Sequence, residues 1–312
     1  MKKIFFLIFL ISTFYSIAFC DENSEIFYQA LISLPKDKRP SVGLALSGGG
    51  ARAFAHVGII EVLKYASFPI DYAAGTSMGA AVGAFYCAGL ENEKLWEFGE
   101  KMKERKVGKD FSNAKIIKLM LSGSFIDPFY IRQFADSELK DKKFSDLKIP
   151  FACVAMDINT GEKIVFTKGE LALAVKASVN LPGIFEPIPY GSKSLVDGGV
   201  VEFLPVEPLK DMKADWIVSS VTEAKIASAP KNVVSALMQV IDIRGGLLAK
   251  QSKKESDFIF SPEVSDISVS DFNKSTQAAE RALIYGASKI DSLKEAYTVY
   301  SVKKIFENKV KE

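Results

Sequence analysis

The sequence predicts an α/β fold in which a central, mostly parallel sheet is flanked by helices. Short apolar runs that are typical of buried strands, such as Val42 to Leu46, alternate with longer segments of helical periodicity. Glycine-containing turns at residues 47–52 and 75–79 each join such a run to a helix. The resulting strand–helix–strand–helix order up to Gly89 is a βαβα unit, which predicts a doubly wound sheet.

The first residues are typical of an export signal. Lys2 and Lys3 precede an apolar run over residues 4–19, which Cys20 follows. These 16 residues, most of them apolar, are fewer than the roughly 20 that span a bilayer, so removal of the segment is favoured over its retention as an anchor. Cys20 could be the lipid-modified first residue of a lipoprotein, although the bulky Phe19 argues for ordinary cleavage. We expect an exported protein that is secreted, periplasmic or anchored to a membrane.

The rest of the chain divides into a linker over residues 21–40, a domain over 41–295 and a tail over 296–312. The linker carries one weak amphipathic helix. After the first strand, a helix is predicted from Ala51 to Lys64, and residues 91–147 read as a helical insert. An apolar cluster in the insert, from Ile116 to Tyr130, is either core or a lipid-facing lid. The remaining predicted elements are a strand at 151–156, its hairpin partner at 163–166, a short helix at 170–180, a strand at 216–221 and helices at 233–250 and 277–293.

The pentapeptide Gly75-Thr76-Ser77-Met78-Gly79 has the form G-x-S-x-G between a predicted strand and a helix of small residues. That context is typical of a nucleophile elbow. The two glycines let strand and helix approach closely, while the serine lies exposed on a strained turn. Ser77 is therefore the candidate nucleophile, unless the pattern is only a turn before a buried helix.

Two other stretches support the elbow. Ser47-Gly48-Gly49-Gly50-Ala51-Arg52 turns from a strand into a helix, where backbone N–H groups can bind a phosphate or an oxyanion. We expect the N–H groups of Gly48, Gly49 and Gly50 to form the oxyanion hole, with Arg52 either supporting this loop, binding a lipid phosphate or lying on the surface. In Asp197-Gly198-Gly199 a strand end delivers one carboxylate into a glycine turn, which makes Asp197 the candidate partner of Ser77.

In this order the three motifs resemble those of the patatin-like phospholipase family, in particular its bacterial single-domain members. Residues 177–187 resemble the family's fourth block, with Asn180 where serine is usual. The resemblance covers about residues 40–221 and continues more weakly to about 293. It implies a single patatin-like domain and a serine acyl hydrolase that cleaves carboxylic esters of phospholipids or other lipids. It also implies a Ser77–Asp197 dyad and an acyl-enzyme intermediate.

His56 is the one histidine of the chain, so a Ser-His-Asp triad would have to use it. The resemblance implies instead that Asp197 contacts Ser77 directly, first as base and then as acid toward the leaving alcohol. A partly desolvated pocket would suit this role because it raises the pKa of a carboxyl group. We expect His56 to pack behind the site or to support it.

Three other functions are consistent with parts of the sequence. A dinucleotide-binding turn would fit residues 48–53, with Asp71 as the acidic residue that binds the ribose. However, that residue should end the second strand, whereas Asp71 begins it. This reading also leaves the motif at Asp197 unexplained. A non-catalytic lipid-binding surface lipoprotein would not need the complete dyad. An acyltransferase would use the same acyl-enzyme with an acceptor other than water.

Composition restricts the partners. Lys and Arg number 40 against 38 Asp and Glu, a net charge of +2, so no nucleic-acid partner is expected. The sequence contains no Cys/His cluster for zinc and no Asp/Asn-rich calcium loop, so neither metal nor cofactor is implied. Cys87 and Cys153 lie in apolar segments and are expected to be free thiols. The expected partners are a lipid ester and a membrane surface.

Overall fold

A computed structural model describes residues 21–104, 129–225, 229–230 and 233–311, together with Ala114 and Ile117. The strands are β1 (Val42–Leu46), β2 (Tyr72–Thr76), β3 (Phe151–Asp157), β4 (Lys163–Phe166), β5 (Ile188–Tyr190), β6 (Lys193–Asp197), β7 (Trp216–Ser220) and β8 (Phe258–Phe260). The helices are α1 (Asp21–Ile32), α2 (Ala55–Tyr65), α3 (Met78–Cys87), α4 (Asn92–Glu104), α5 (Phe129–Leu139), α6 (Leu171–Ser178), α7 (Val206–Asp211), α8 (Val233–Lys254), α9 (Ser275–Ala287) and α10 (Ile290–Lys311). Most of the apolar cluster predicted between Ile116 and Tyr130 lies outside the described residues.

The sheet confirms the predicted α/β class. Strands β3, β2, β1, β7 and β8 run parallel in that order, while β4 and β6 pair with β3 antiparallel and β5 pairs with β6. Strand β1 is buried along its whole length, as its uninterrupted apolar run predicts for a central parallel strand. Its side chains alternate between two apolar clusters. Leu44 and Leu46 belong to the larger one, and Ala45 belongs to the smaller one beneath α7.

Strands β2 and β6 lie along the same edge of β3 and meet end to end. Strand β4 pairs with residues 153–156 of β3, overlapping the stretches that pair with β2 and with β6, so β4 must occupy the opposite edge. Thr76, the last residue of β2, lies opposite Val154, and Asp197, the last residue of β6, lies opposite Ala155. The carboxyl ends of the two strands therefore converge on one point.

Both ends of the described chain pack onto the domain. Tyr28 of α1 is buried and donates a hydrogen bond to the carbonyl of Ala66 at 3.1 Å. Tyr297 of α10 is buried and donates to the carbonyl of Pro40 at 2.7 Å. The structure thus differs from the linker and tail of the sequence interpretation, because apolar residues at helical spacing give both helices a face to bury. The domain boundaries themselves stay a prediction.

The predicted helix at Ala51 begins differently from the sequence expectation. Residues Gly50–Phe54 form a 3₁₀ turn, and the α-helix starts only at Ala55. Gly49 and Gly50 have φ values of 146° and 55°, which a regular helix start does not allow. The glycine turn is therefore a separate loop in front of α2.

In the part of the chain that is described, no helix is both long and apolar enough to cross a bilayer. Cys87 and Cys153 are buried free thiols, and burial raises the pKa of both.

Candidate active site

Ser77 occupies the predicted elbow between β2 and α3. Its φ of 55° and ψ of −131° form a strained conformation for a residue with a side chain. Two glycines permit the turn: a Cβ atom at Gly75 would lie 2.5 Å from the Cα of Ala80, and one at Gly79 would lie 2.3 Å from the carbonyl oxygen of Ser47. Ser77 itself is half-buried and so remains accessible to a substrate.

Ser178 holds the strained residue in place. The backbone N–H of Ser77 donates to the Ser178 hydroxyl oxygen at 2.8 Å, and that hydroxyl donates to the carbonyl of Val154 at 2.6 Å. Sequence reasoning gave Ser178 no role. Its position in the fourth family block was the signal that could have identified it.

Asp197 lies directly against the candidate nucleophile. The Ser77 hydroxyl donates to Oδ2 of Asp197 at 2.6 Å, and the N–H of Gly199 donates to Oδ1 at 2.7 Å. The carboxyl group is buried, at 3% exposure, and burial raises its pKa to about 7 although both hydrogen bonds act to lower it. A carboxylate with that pKa can take a proton and return it near neutral pH.

The glycine loop borders Ser77, but only part of it is free to bind an oxyanion. A Cβ atom at Gly48 would lie 3.3 Å from the Cβ of Ser77, which places this residue beside the nucleophile. Its N–H already donates to the carbonyl of Phe203 at 3.0 Å, so Gly48 does not fit the donor role expected from the sequence. No acceptor among the described residues binds the N–H groups of Gly49 and Gly50. These two groups are therefore the candidate oxyanion donors in the loop.

Arg52 is buried and anchors the loop. Its Nη2 forms an ion pair with Oδ1 of Asp242 on α8 at 2.6 Å, and its Nη1 donates to the carbonyl of Ile267 at 3.1 Å. A guanidinium bound in this way is not presented to a lipid phosphate. The contacts favour support of the loop among the three roles considered for Arg52.

His56 also supports the loop and has no contact with Ser77 among the described hydrogen bonds. Its Nε2 lies 2.9 Å from the carbonyl oxygen of Ser47, which can only accept, so Nε2 carries the proton. Nδ1 then accepts from the Ser220 hydroxyl at 2.8 Å. Burial lowers the pKa of His56 to about 4, so the ring is neutral at pH 7.

Other candidate features lie elsewhere. Asp71 binds the guanidinium of Arg39 at 2.7 Å and the N–H of Val42 at 2.8 Å, at the amino ends of β1 and β2 and therefore away from the glycine loop. A cavity of about 870 Å³ at the start of β3, lined in part by Lys143 and Pro150, includes no candidate site residue. No cluster of three or more His, Cys, Asp or Glu side chains suited to a metal ion occurs within the described ranges.

Comparisons with known proteins agree with the geometry. The model of the family described as "Patatin-like phospholipase" matches residues 44–210, which is more than half of the chain and includes the glycine loop, Ser77 and Asp197. An uncharacterised NTE family protein of Mycobacterium tuberculosis is 32% identical over 191 residues, or 58% of this chain and 48% of that protein. The neuropathy target esterase of Drosophila melanogaster and a lysophospholipase of Aspergillus fumigatus are each 30% identical over 57% of this chain, covering 13% and 12% of those proteins. This chain thus spans about half or less of the length of these relatives.

Among solved structures, VipD of Legionella pneumophila aligns with 83% of this chain and 67% of that protein, with a TM-score of 0.50 and 12% identity. At that identity the likeness shows the fold alone.

Proposed function

The chain belongs to the patatin-like phospholipase family, and we propose that it is a serine hydrolase that cleaves carboxylic esters of lipids with Ser77 and Asp197. The observation that carries this proposal is the 2.6 Å hydrogen bond from the Ser77 hydroxyl, on a strained elbow, to a buried carboxylate. A serine hydroxyl needs a base in contact to become a nucleophile, and Asp197 is the group in contact.

In the first half of the reaction, Oγ of Ser77 attacks the ester carbonyl carbon while Oδ2 of Asp197 takes the hydroxyl proton. The oxyanion that forms accepts hydrogen bonds from the N–H groups of Gly49 and Gly50. The carbon–oxygen bond to the alcohol then breaks, and Asp197 returns its proton to the departing oxygen. The products of this half are the free alcohol and acyl-Ser77.

In the second half, a water molecule attacks the acyl carbonyl carbon and gives its proton to Asp197. The bond from the acyl carbon to Ser77 Oγ breaks, the fatty acid leaves, and the proton of Asp197 restores the serine hydroxyl. The pKa of about 7 suits both directions of transfer, because Asp197 is a base when ionised and an acid when protonated.

We propose long-chain phospholipid or lysophospholipid as the substrate, presented at a membrane surface. The relative in Aspergillus fumigatus is named a lysophospholipase, which supports this class. The apolar run of residues 4–19 supports export of the chain to a membrane-facing compartment. Mass spectrometry of the protein from its native membrane should find a chain that begins at or near Cys20, and an intact Met1 would contradict export.

The activity is tested by two substitutions at the dyad. Ser77→Ala and Asp197→Asn should each lower the hydrolysis of a short-chain ester by about 10³-fold or more. The two residues act together, so the loss of either one removes nearly all of the activity. Asp211→Asn, on the exposed side of α7, is the matched control and should keep full activity. Circular dichroism verifies that each variant is folded. More than a few per cent of activity in either dyad variant would refute the assignment.

A further inference from the structure

Helix α8 has an apolar face that points away from the protein. Val233, Val240 and Leu247 recur every seven residues and are 71%, 62% and 55% exposed, and Ile243 lies between the last two. At 1.5 Å per residue this stripe is about 21 Å long. An amphipathic helix of a globular protein normally turns its apolar face inward. The outward stripe is therefore a candidate contact surface.

The opposite side of α8 forms a wall of the candidate active site. Asp242, on that side, holds Arg52 of the glycine loop at 2.6 Å. The long side chain of Arg244 reaches from the edge of the stripe toward the site, where its Nε donates at 3.2 Å to the carbonyl of Val200. Gly245 packs so closely on the ring of Phe203 that a Cβ atom there would lie 2.7 Å from Cδ2. Whatever binds the outer stripe lies one helix diameter from the site.

Basic side chains flank the stripe. Arg244, Lys250 and Lys254 are exposed, and none of them forms an ion pair with another described residue. Apolar residues beside unneutralised cations suit the boundary between acyl chains and anionic head groups. A symmetric contact with a second copy would instead bring two sets of these cations together.

We infer that the outer face of α8 is the surface with which the protein docks on an anionic lipid bilayer. The inference rests on the proposed lipid substrate and adds the place and the direction of docking. Docking through this face places the candidate active site about one helix diameter from the lipid. An ester then has only a short distance to move from the bilayer to Ser77.

The test places a fluorescent reporter on this face. In a Cys20→Ser background of the full chain, Val240→Cys is labelled with a polarity-sensitive fluorophore; Cys87 and Cys153 are fully buried and do not compete. Tyr65→Cys is the matched control, because Tyr65 is 85% exposed at the end of α2 that lies away from the glycine loop. Vesicles of phosphatidylcholine, with and without phosphatidylglycerol, are then added.

We expect the emission at position 240 to shift to the blue with the anionic vesicles, less with phosphatidylcholine alone, and to remain unchanged at position 65. An unchanged emission at position 240, or equal shifts at both positions, would overturn the inference. A blue shift at position 240 that grows with protein concentration in the absence of lipid would also overturn it, in favour of an interface between two copies.

A second measurement separates docking from chemistry. Val240→Ser combined with Leu247→Ser should lower hydrolysis of lipid in anionic vesicles by at least about tenfold and leave hydrolysis of a soluble ester unchanged. Equal loss on both substrates would contradict the docking role. If the wild-type protein released no fatty acid from any lipid, the proposed function would fail, whereas the fluorescence at position 240 would still decide the docking surface.

Discussion

At the residue scale, ionisation of Asp197 should raise the activity of the protein and lower its stability. Asp197 must be ionised to accept the Ser77 proton, so kcat/KM should rise with pH through about 7 and then level off. Its pKa is raised by folding from 3.8, so the folded state binds this proton more tightly than the unfolded chain does. The stabilising contribution is complete below 3.8 and is lost as pH rises through about 7.

The stability of Asp197→Asn tests this titration. The amide cannot ionise, so at pH 8 the variant should have a free energy of unfolding higher than that of the wild type by up to roughly 4 kcal/mol. The difference should fall to less than half at pH 5, where the wild-type carboxyl is mostly protonated in the folded state. Urea denaturation at both pH values measures it. A variant that is less stable than the wild type at pH 8, or a stability difference that does not change with pH, would contradict this account. Either result would show that burial of the ionised carboxylate does not destabilise the folded protein.

The role of His56 is tested by comparison with Ser77→Ala. Removal of the imidazole by His56→Ala loses two hydrogen bonds and leaves a buried cavity, so activity should fall modestly and stability by about 2–4 kcal/mol. Steady-state kinetics with circular dichroism on the same samples separates the two effects. If the folded variant were as inactive as Ser77→Ala, His56 would be the base and the triad would replace the dyad.

The candidate reactive residues lie in motifs that the sequence shows, whereas the contacts that hold them in place do not follow from any one motif. Ser77, Asp197 and the glycines lie in short motifs whose chemistry depends on neighbours along the chain. The bond from the Ser77 N–H to Ser178 joins residues 101 positions apart, and the bond from Gly48 to Phe203 joins a loop to a distant turn. No local pattern encodes such contacts.

At the element scale, the central fact is the meeting of β2 and β6 on one edge of β3. The sequence predicts β2, β3 and the strand end at Asp197, but not that β6 runs against β3 while β2 runs with it. Register between distant strands depends on which apolar faces are buried together, and one sequence does not specify that. The convergence explains why two motifs 120 residues apart touch.

Substitution of two adjacent glycines of α8 by alanine should change stability in opposite directions. Gly245→Ala would push a methyl group into the ring of Phe203, so stability should fall by about 1–3 kcal/mol. The carbonyl of Phe203 accepts a hydrogen bond from Gly48 of the glycine loop, so activity should fall as well. Gly246 has nothing within 4 Å of its added Cβ, so Gly246→Ala should stabilise by about 0.5–1 kcal/mol. Thermal denaturation and ester hydrolysis measure both variants. Similar effects of the two substitutions would contradict the packing of α8 against the site.

At the scale of the whole molecule, the two ends of the described chain close around the sheet. Lys294 of α10 pairs with Glu25 of α1 at 2.9 Å, and the rings of Tyr28 and Tyr297 both lie near Phe68. The sequence indicates only a weak amphipathic helix in the first segment and a tail in the second, because their apolar residues are few and their charges many. Only the tertiary contact reveals that a few aromatic residues suffice to bury them.

The central claim, that Ser77 is a nucleophile activated by Asp197, is tested most directly by labelling with a fluorophosphonate, which reacts irreversibly with activated serines. Peptide mass mapping of the wild-type protein should find one adduct, on Ser77, that grows in parallel with the loss of ester hydrolysis. The Asp197→Asn variant should react far more slowly because its amide cannot take the Ser77 proton. An adduct on another residue, or hydrolysis that survives complete labelling of Ser77, would contradict the account.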